Sequence, residues 1–221
     1  MRNPSNLEFQ KKFDTIADDY EKVSNTYTIM RRSESFQINS SGLILEVGSA
    51  TGVVTESLKN VVLTDISFTM CKRANLKSAT VVCCDAEMLP FKENLFDRII
   101  SSEMIYYLQN PENFLFYSHK ILKKGGMLLI SMANPKMKLA DKIRSMLRRM
   151  GARRAYFDDG VKEFMELDRL VSLLEKYNFR INSIEKKVLF PFEIFDKINR
   201  LLEKTFLSYL GIFIIVKATA K

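Results

Sequence analysis

Residues 43–47, Leu-Ile-Leu-Glu-Val, form a short apolar run that ends abruptly in Gly48-Ser49-Ala50-Thr51-Gly52. A strand that gives way to a cluster of small residues is the tightest constraint on what this chain can become. Small residues let the backbone turn sharply and let a ligand approach closely. A helix over 51–58, as the spacing predicts, would add free N–H groups for a carboxylate or phosphate. Val61 to Asp65, Ala79 to Cys84, Phe96 to Ser102 and Met127 to Met132 read as further strands. Helical stretches separate them. Ser67 is placed to cap one, and Pro111 opens another that runs to Leu122 before Gly125-Gly126. Strands that are apolar throughout imply a parallel sheet covered on both faces, with right-handed crossovers.

The flanks read differently. Ser5 and Glu8 have capping-box spacing, and Phe9, Phe13, Ile16 and Tyr20 recur on one helical face. A second short helix is expected from Met30 to Ile38. Lys136 to Arg154 carries eight basic residues and one acid, Asp141. Within it Leu139, Ile143, Met146, Leu147 and Met150 share a helical face, largely surrounded by Lys138, Lys142, Arg144, Arg148 and Arg149. A helix over Met165–Tyr177, a strand over Arg180–Leu189, a helix over Ile194–Phe206 and a strand over Gly211–Ala218 complete the pattern. The expected fold is α/β: a Rossmann-like, doubly wound, mostly parallel seven-stranded sheet with helices on both faces. One domain spans 1–221: a helical cap (1–40), a ligand-binding core (41–133), a basic insertion or substrate cap (134–160) and the rest of the sheet (161–221).

Hydrophobic content of 47% and charged content of 27% exclude a disordered, collagen-like or coiled-coil chain. The longest apolar run, Gly211 to Val216, is strand-sized and too short for a membrane helix. No leader precedes the charged N-terminal sequence, so a cytoplasmic protein is expected. Cys71, Cys83 and Cys84 make a poor disulfide framework and show no metal-ligand spacing; they read as small core residues.

Asp65 ends the second strand, and its carboxylate there could accept hydrogen bonds from both hydroxyls of a ribose or simply cap the next helix. It shares the carboxyl edge of the sheet with the glycine turn, where ligands of open α/β sheets bind. A dinucleotide fingerprint, G-x-G-x-x-G, is not met, because Val53 stands at its third position.

With these residues in place, the chain resembles the class I S-adenosylmethionine-dependent methyltransferases, in particular the small-molecule branch with the ubiquinone/menaquinone-type enzymes. Glu46, Gly48 and Gly52 match the family's acid-x-G-x-G-x-G motif, and Ala50 replaces the middle glycine. Cys84-Asp85-Ala86-Glu87-Met88-Leu89-Pro90-Phe91 resembles the third-strand motif, 96–102 the fourth strand and 122–130 the turn into the fifth. Phe13 to Tyr20 resembles a helix that closes over the cofactor. The resemblance covers residues 9 to 133 well. It implies S-adenosylmethionine held by Tyr20, Glu46, Gly48, Ser49, Ala50, Gly52, Asp65, Ile66, Asp85, Ala86 and Ser102, with Asp65 on the ribose and Asp85 and Ala86 at the adenine.

The implied chemistry is in-line methyl transfer to a small-molecule acceptor, lipid- or quinone-like. A general base is required only if the acceptor must lose a proton, so no catalytic residue is assigned. Glu103, Tyr106, Tyr107 and His119 are nearest in sequence, and His119 reads better as a half-buried helix residue. The basic stretch 136–154 fits peripheral contact with an anionic membrane, or a cap whose charges are merely solvated. Methylation of RNA or protein through that stretch is the alternative enzyme, less favoured because no RNA-binding appendage is present. A non-catalytic cofactor-binding scaffold is the alternative outside enzymes.

Overall fold

The computed structural model describes residues 4–36, 42–77, 80–135 and 165–221. One sheet is built from β1 (Ile44–Val47), β2 (Val61–Asp65), β3 (Thr80–Cys83), β4 (Phe96–Ser102), β5 (Leu122–Ala133), β6 (Phe179–Lys187) and β7 (Phe213–Ala220). Their order is β3-β2-β1-β4-β5-β7-β6. β1 to β5 pair in parallel, and β7 runs antiparallel between β5 and β6. The order reverses at β1, so a crevice opens at the carboxyl ends of β1 and β4.

The helices are α1 (Pro4–Ile16), α2 (Tyr20–Val23), α3 (Thr26–Phe36), α4 (Phe68–Asn75), α5 (Pro111–Ile121), α6 (Leu167–Lys176) and α7 (Asp196–Leu202). Alternation along the strands divides the core. Leu45, Val47, Ile99, Leu128 and Ile130 pack with Phe114 and Leu115 of α5 and Leu170 and Leu174 of α6. Ile44, Ile100, Leu129 and Ile215 point the other way, against Tyr27 and Phe36 of α3 and Val54. Each such buried aliphatic side chain contributes about 1.5–3 kcal/mol, so both faces must stay covered. The doubly wound, mostly parallel sheet expected from the sequence is present.

Local expectations failed in instructive places. Residues 51–58 form turns, not a helix. Gly52 is left-handed, at φ +77°, where a first helical turn would run. Val54 packs down on the sheet, and the Thr55 hydroxyl donates to Glu46. The residues that follow the glycine turn therefore supply no helix N-terminus to it. The N-terminal helix stops at Ile16, because Ala17 is buried beside Ala50 and Met70 and the exposed Asp18-Asp19 pair follows. The helix expected from Met30 starts at Thr26 instead, with the Asn25 side chain accepting from the Thr28 N–H at 3.0 Å. Helix 194–206 shrinks to α7, preceded by a 3-10 turn at Glu193–Phe195. The Ser67 cap is confirmed: its hydroxyl accepts from the Met70 N–H at 3.1 Å. Cys71 is buried, but Cys83 is exposed, so the reading of all three cysteines as core is corrected. The expected basic helix in 136–154 lies outside the described residues. Among the described residues, no helix is long and apolar enough to cross a membrane.

The β6–β7 connection, on the carboxyl side of β6, is locked to α3 by Arg31. That side chain is only 4% exposed and sits 3.0 Å from Asp196 Oδ1 and 2.8 Å from Glu203 Oε2. Glu34 Oε2 adds a third carboxylate 3.3 Å from Arg31 Nε, so the buried charge is compensated, whereas the cation or the carboxylates alone would be costly.

Candidate active site

The turn after β1 is left-handed at alternate residues: Gly48 at φ +70°, Ala50 at +47° and Gly52 at +77°. The Ser49 N–H donates to the Thr64 carbonyl at 2.9 Å and the Gly52 N–H to the Ser49 carbonyl at 2.8 Å. A Cβ added at Gly48 would lie 2.4 Å from Met104 Cγ, and one at Gly52 would lie 2.6 Å from Leu63 Cδ1. Conformation and space both call for glycine at these two positions. Ala50 is different. A left-handed alanine costs about 1–2 kcal/mol, but its methyl is buried with Ala17 and Met70, with Phe13, Ile16 and Tyr20 alongside. Burying one carbon returns about 0.8 kcal/mol. Ala50→Gly is therefore expected to leave stability within about 1 kcal/mol of the parent in a denaturant titration, the strain relief offsetting the lost packing.

Asp65 spans the gap between this turn and the next helix. Its Oδ2 accepts from the Ala50 N–H at 2.8 Å and its Oδ1 from the Ser67 N–H at 2.9 Å. Burial pushes its pKa up to about 6, although the Ser67, Ala50 and Ile66 N–H groups pull it down. Glu46 lies deeper, at 1% exposure, and takes the Thr55 hydroxyl. Burial pushes its pKa up to about 8, and the charge of Asp65 adds to the rise.

Both acids bind protons more tightly folded than unfolded, so they cost stability as the pH rises. The cost is absent below the ordinary values of 3.8 and 4.5 and complete only above about 8. The urea midpoint of the ligand-free protein should fall between pH 5 and 8, and Glu46→Gln should flatten that fall. A Gln variant with the parent's slope would show that Glu46 is ionised throughout.

Tyr20 packs against the cluster that holds Ala50. Burial pushes its phenol up to about 12, and the negative charges of Asp65, Glu46 and Glu103 add to the rise while Arg32 opposes it. Tyr20 is therefore a neutral hydroxyl among charges. At the end of β3, Asp85 accepts from the Glu87 N–H at 2.9 Å and so starts the 3-10 turn Ala86–Met88. The Cys84 N–H, at 3.0 Å from the Asp65 carbonyl, ties that end to β2. Ile66 is half-buried beside Asp65, and Ser102 shares a hydrogen bond with Ser131 at 3.2 Å.

Every candidate cofactor residue thus lies at the carboxyl edge, with Glu46 to Gly52, Asp65, Ile66 and Tyr20 gathered closely and Asp85, Ala86 and Ser102 at neighbouring strand ends. Tyr106 and Tyr107 stand on the same side, with Tyr107 edge-on to Phe9 and Phe13 at 5.4 Å each. His119 does not join them. It sits near the C-terminal end of α5, with its ring 5.4 Å from Phe179 at the start of β6, the opposite edge of the sheet.

Sequence reasoning missed Asp14. Its carboxylate takes the Ser67 hydroxyl at 2.5 Å and the Thr69 N–H at 3.0 Å, which pins α1 over the N-terminus of α4. The apolar periodicity of α1 carries no signal for that contact.

The site suits a cationic ligand with hydroxyls. Two acids are buried in it, and Asp65 keeps a second lone pair on each oxygen. The buried hydroxyls of Ser49 and Ser101 have no hydrogen-bond partner among the described residues. An unsatisfied buried hydroxyl is costly unless something else occupies it.

Comparison with known proteins leads to the same place. Residues 45–130 match the family described as a methyltransferase domain. An uncharacterised protein of Methanocaldococcus jannaschii is 23% identical over 190 residues, 85% of this chain and 90% of that protein. The ubiquinone/menaquinone biosynthesis C-methyltransferase of Citrobacter koseri is 29% identical over 150 residues, 55% of this chain and 60% of that enzyme. The chain thus spans less than two thirds of that curated relative. A solved S-adenosylmethionine-dependent methyltransferase of Thermotoga maritima, described as a possible histamine N-methyltransferase, superposes with a TM-score of 0.73 at 20% identity, over 96% of this chain and 100% of that one. Sheet order, turn chemistry and relatives point the same way: residues 45–130 match a methyltransferase domain, and the fold is that of solved S-adenosylmethionine-dependent methyltransferases.

Proposed function

We propose that this chain moves a methyl group from S-adenosylmethionine to a small molecule with an apolar, quinone-like body. The observation that carries the reading is Asp65, held between the Ala50 and Ser67 N–H groups at the tip of β2. Its two remaining lone pairs suit the two hydroxyls of a ribose. The cofactor supplies a methyl carbon already activated by the positive sulfur. Gly48 to Gly52 and Ser49 Oγ hold the amino-acid end of the cofactor. Glu46 sets the turn from beneath, where it takes the Thr55 hydroxyl. Ile66, Asp85 and Ala86 would hold the adenine, Ser102 would border the sulfur end and Tyr20 would cover the cofactor.

The remaining task of the chain is to align the acceptor and exclude water, which together supply much of the rate in such transfers. Phe9, Phe13, Met104 and Tyr107 give that side an apolar wall. The Citrobacter relative, named for ubiquinone and menaquinone biosynthesis, supports an acceptor of the same character.

The test is transfer of tritiated methyl to fractionated cell extract, with Asp65→Ala as the control. Label should appear in an apolar organic fraction and disappear in the variant. Label confined to RNA or protein would overturn the small-molecule reading.

A further inference from the structure

Two neighbouring arginines of α3 do different work. Arg31 is closed into short ion pairs with Asp196 and Glu203 and locks the fold. Arg32 points elsewhere, as successive helical residues must, and meets Glu103 loosely, with Nη1 3.5 Å from Oε1. The side chains of this second pair are 15% and 21% exposed.

Glu103 is itself out of the ordinary. It follows directly on β4 with φ at +54°, a conformation that a non-glycine residue adopts at a cost of about 1–3 kcal/mol. Two neighbours hold it there: the Ser131 carbonyl takes its N–H at 3.0 Å, the Ser131 hydroxyl donates to Oε1 at 3.0 Å and the Tyr106 hydroxyl donates to Oε2 at 2.9 Å. Oε1 is thereby filled by Ser131 and Arg32. Oε2 keeps one lone pair with no partner among the described residues. Arg32 sends its Nε–H to the Thr28 carbonyl at 3.2 Å and Nη2 to the Thr28 hydroxyl at 3.5 Å, which leaves two of its five N–H groups uncommitted. Glu103 follows Ser102 at the carboxyl end of β4 and precedes Met104, whose side chain lies against Gly48, so the pair stands at the same edge of the sheet as the glycine turn.

We infer that Glu103 and Arg32 form the hydroxyl site of the methyl acceptor, and that the acceptor is a phenol or enol. Glu103 Oε2 takes the hydroxyl hydrogen, and the free N–H groups of Arg32 hold the hydroxyl oxygen. This rests on the methyl-transfer reading and assigns a chemical class to its acceptor. As an electron pair of the acceptor bonds to the methyl carbon, the carbon–sulfur pair returns to sulfur. The hydroxyl proton passes to Glu103 Oε2, and the neutral carboxyl gives it to solvent after product leaves. Attack through oxygen gives the ether directly; attack through carbon gives the ketone tautomer, and a phenol then loses its ring C–H proton to solvent as the oxygen regains one, so one proton is released in either case.

The test uses two probes with the same ring system, 2-naphthol and 2-methoxynaphthalene, titrated against the full chain loaded with S-adenosylhomocysteine. The parent should bind 2-naphthol at least tenfold more tightly. Glu103→Gln should reduce that preference to less than threefold, and Arg32→Lys should weaken 2-naphthol more than its methyl ether. Both variants should bind S-adenosylhomocysteine within twofold of the parent, which shows that they fold. A parent without the preference, or two variants that keep it in full, overturns the inference and leaves the methyl-transfer reading standing. A parent that fails to bind S-adenosylhomocysteine removes both.

Discussion

Asp65→Ala is expected to weaken S-adenosylmethionine binding by about 3 kcal/mol, roughly 150-fold, while the protein stays folded. Hydrogen bonds to a charged acceptor contribute about 1.5–3 kcal/mol each, and two ribose hydroxyls are at stake. The variant also frees the Ala50 and Ser67 N–H groups, which now converge on the carboxylate at 2.8 and 2.9 Å. Release of a buried acid offsets part of the loss, since burial holds this carboxyl at about 6. Asp65→Asn keeps one acceptor and should lose roughly half as much. The pH dependence has a definite sign. In the proposed ribose contact the carboxylate form accepts both hydroxyls, so affinity should rise as pH climbs through 6 and level off above it. Calorimetry on parent and variants measures all three. An alanine variant that binds within threefold of the parent, with an unchanged melting temperature, places the ribose elsewhere.

What the sequence could carry was decided by how local each signal is. The first three strands were legible because each is a short, mostly apolar run that ends at small or acidic residues, and the carboxyl-edge residues follow directly from those ends. Ser67 was legible as a cap because its partner, Met70, is three residues away. The stretch 51–58 was not. Its apolar spacing fits a helix, but Val54 is claimed by Ile44 and Ile100, and Thr55 by Glu46, contacts that no window of neighbouring residues contains. Gly125-Gly126 reads locally as the end of a helix. In the structure β5 begins before the pair, at Leu122, and passes through it with Gly125 at φ +77° and a register shift against β4 between Phe96 and Arg98. The pairing of Arg32 with Glu103 joins residues far apart in the chain, and neither belongs to a spacing motif. The acceptor side of the site is thus the part that sequence reads least well, because tertiary contacts assemble it from α3, the end of β4 and β5.

Gly48 offers the sharpest separation of conformational strain from crowding, because the protein contains its own controls. Gly48, Gly52 and Gly125 are all left-handed, at φ +70°, +77° and +77°. An alanine at any of them meets the same backbone penalty of about 1–2 kcal/mol. They differ in room. Around Gly125 a Cβ would find nothing within 4 Å; at Gly52 it would meet Leu63 Cδ1 at 2.6 Å; at Gly48 it would meet Met104 Cγ at 2.4 Å and Cβ at 2.9 Å. Leu63 can swing the end of its side chain, but the Met104 Cβ is fixed to backbone that directly follows the strained Glu103. Overpacking at a site that cannot yield adds about 1–3 kcal/mol. Gly125→Ala should therefore cost about 1 kcal/mol, Gly52→Ala somewhat more and Gly48→Ala about 3 kcal/mol, read as denaturant midpoints at constant slope. Gly48→Ala should also lose cofactor affinity beyond its loss of stability, because any shift of the turn pulls the Ala50 N–H away from Asp65 and the Ser49 N–H away from Thr64. If Gly48→Ala proves no worse than Gly125→Ala, the turn has room to move, and the tight packing of Met104 beneath the cofactor site is not what shapes it.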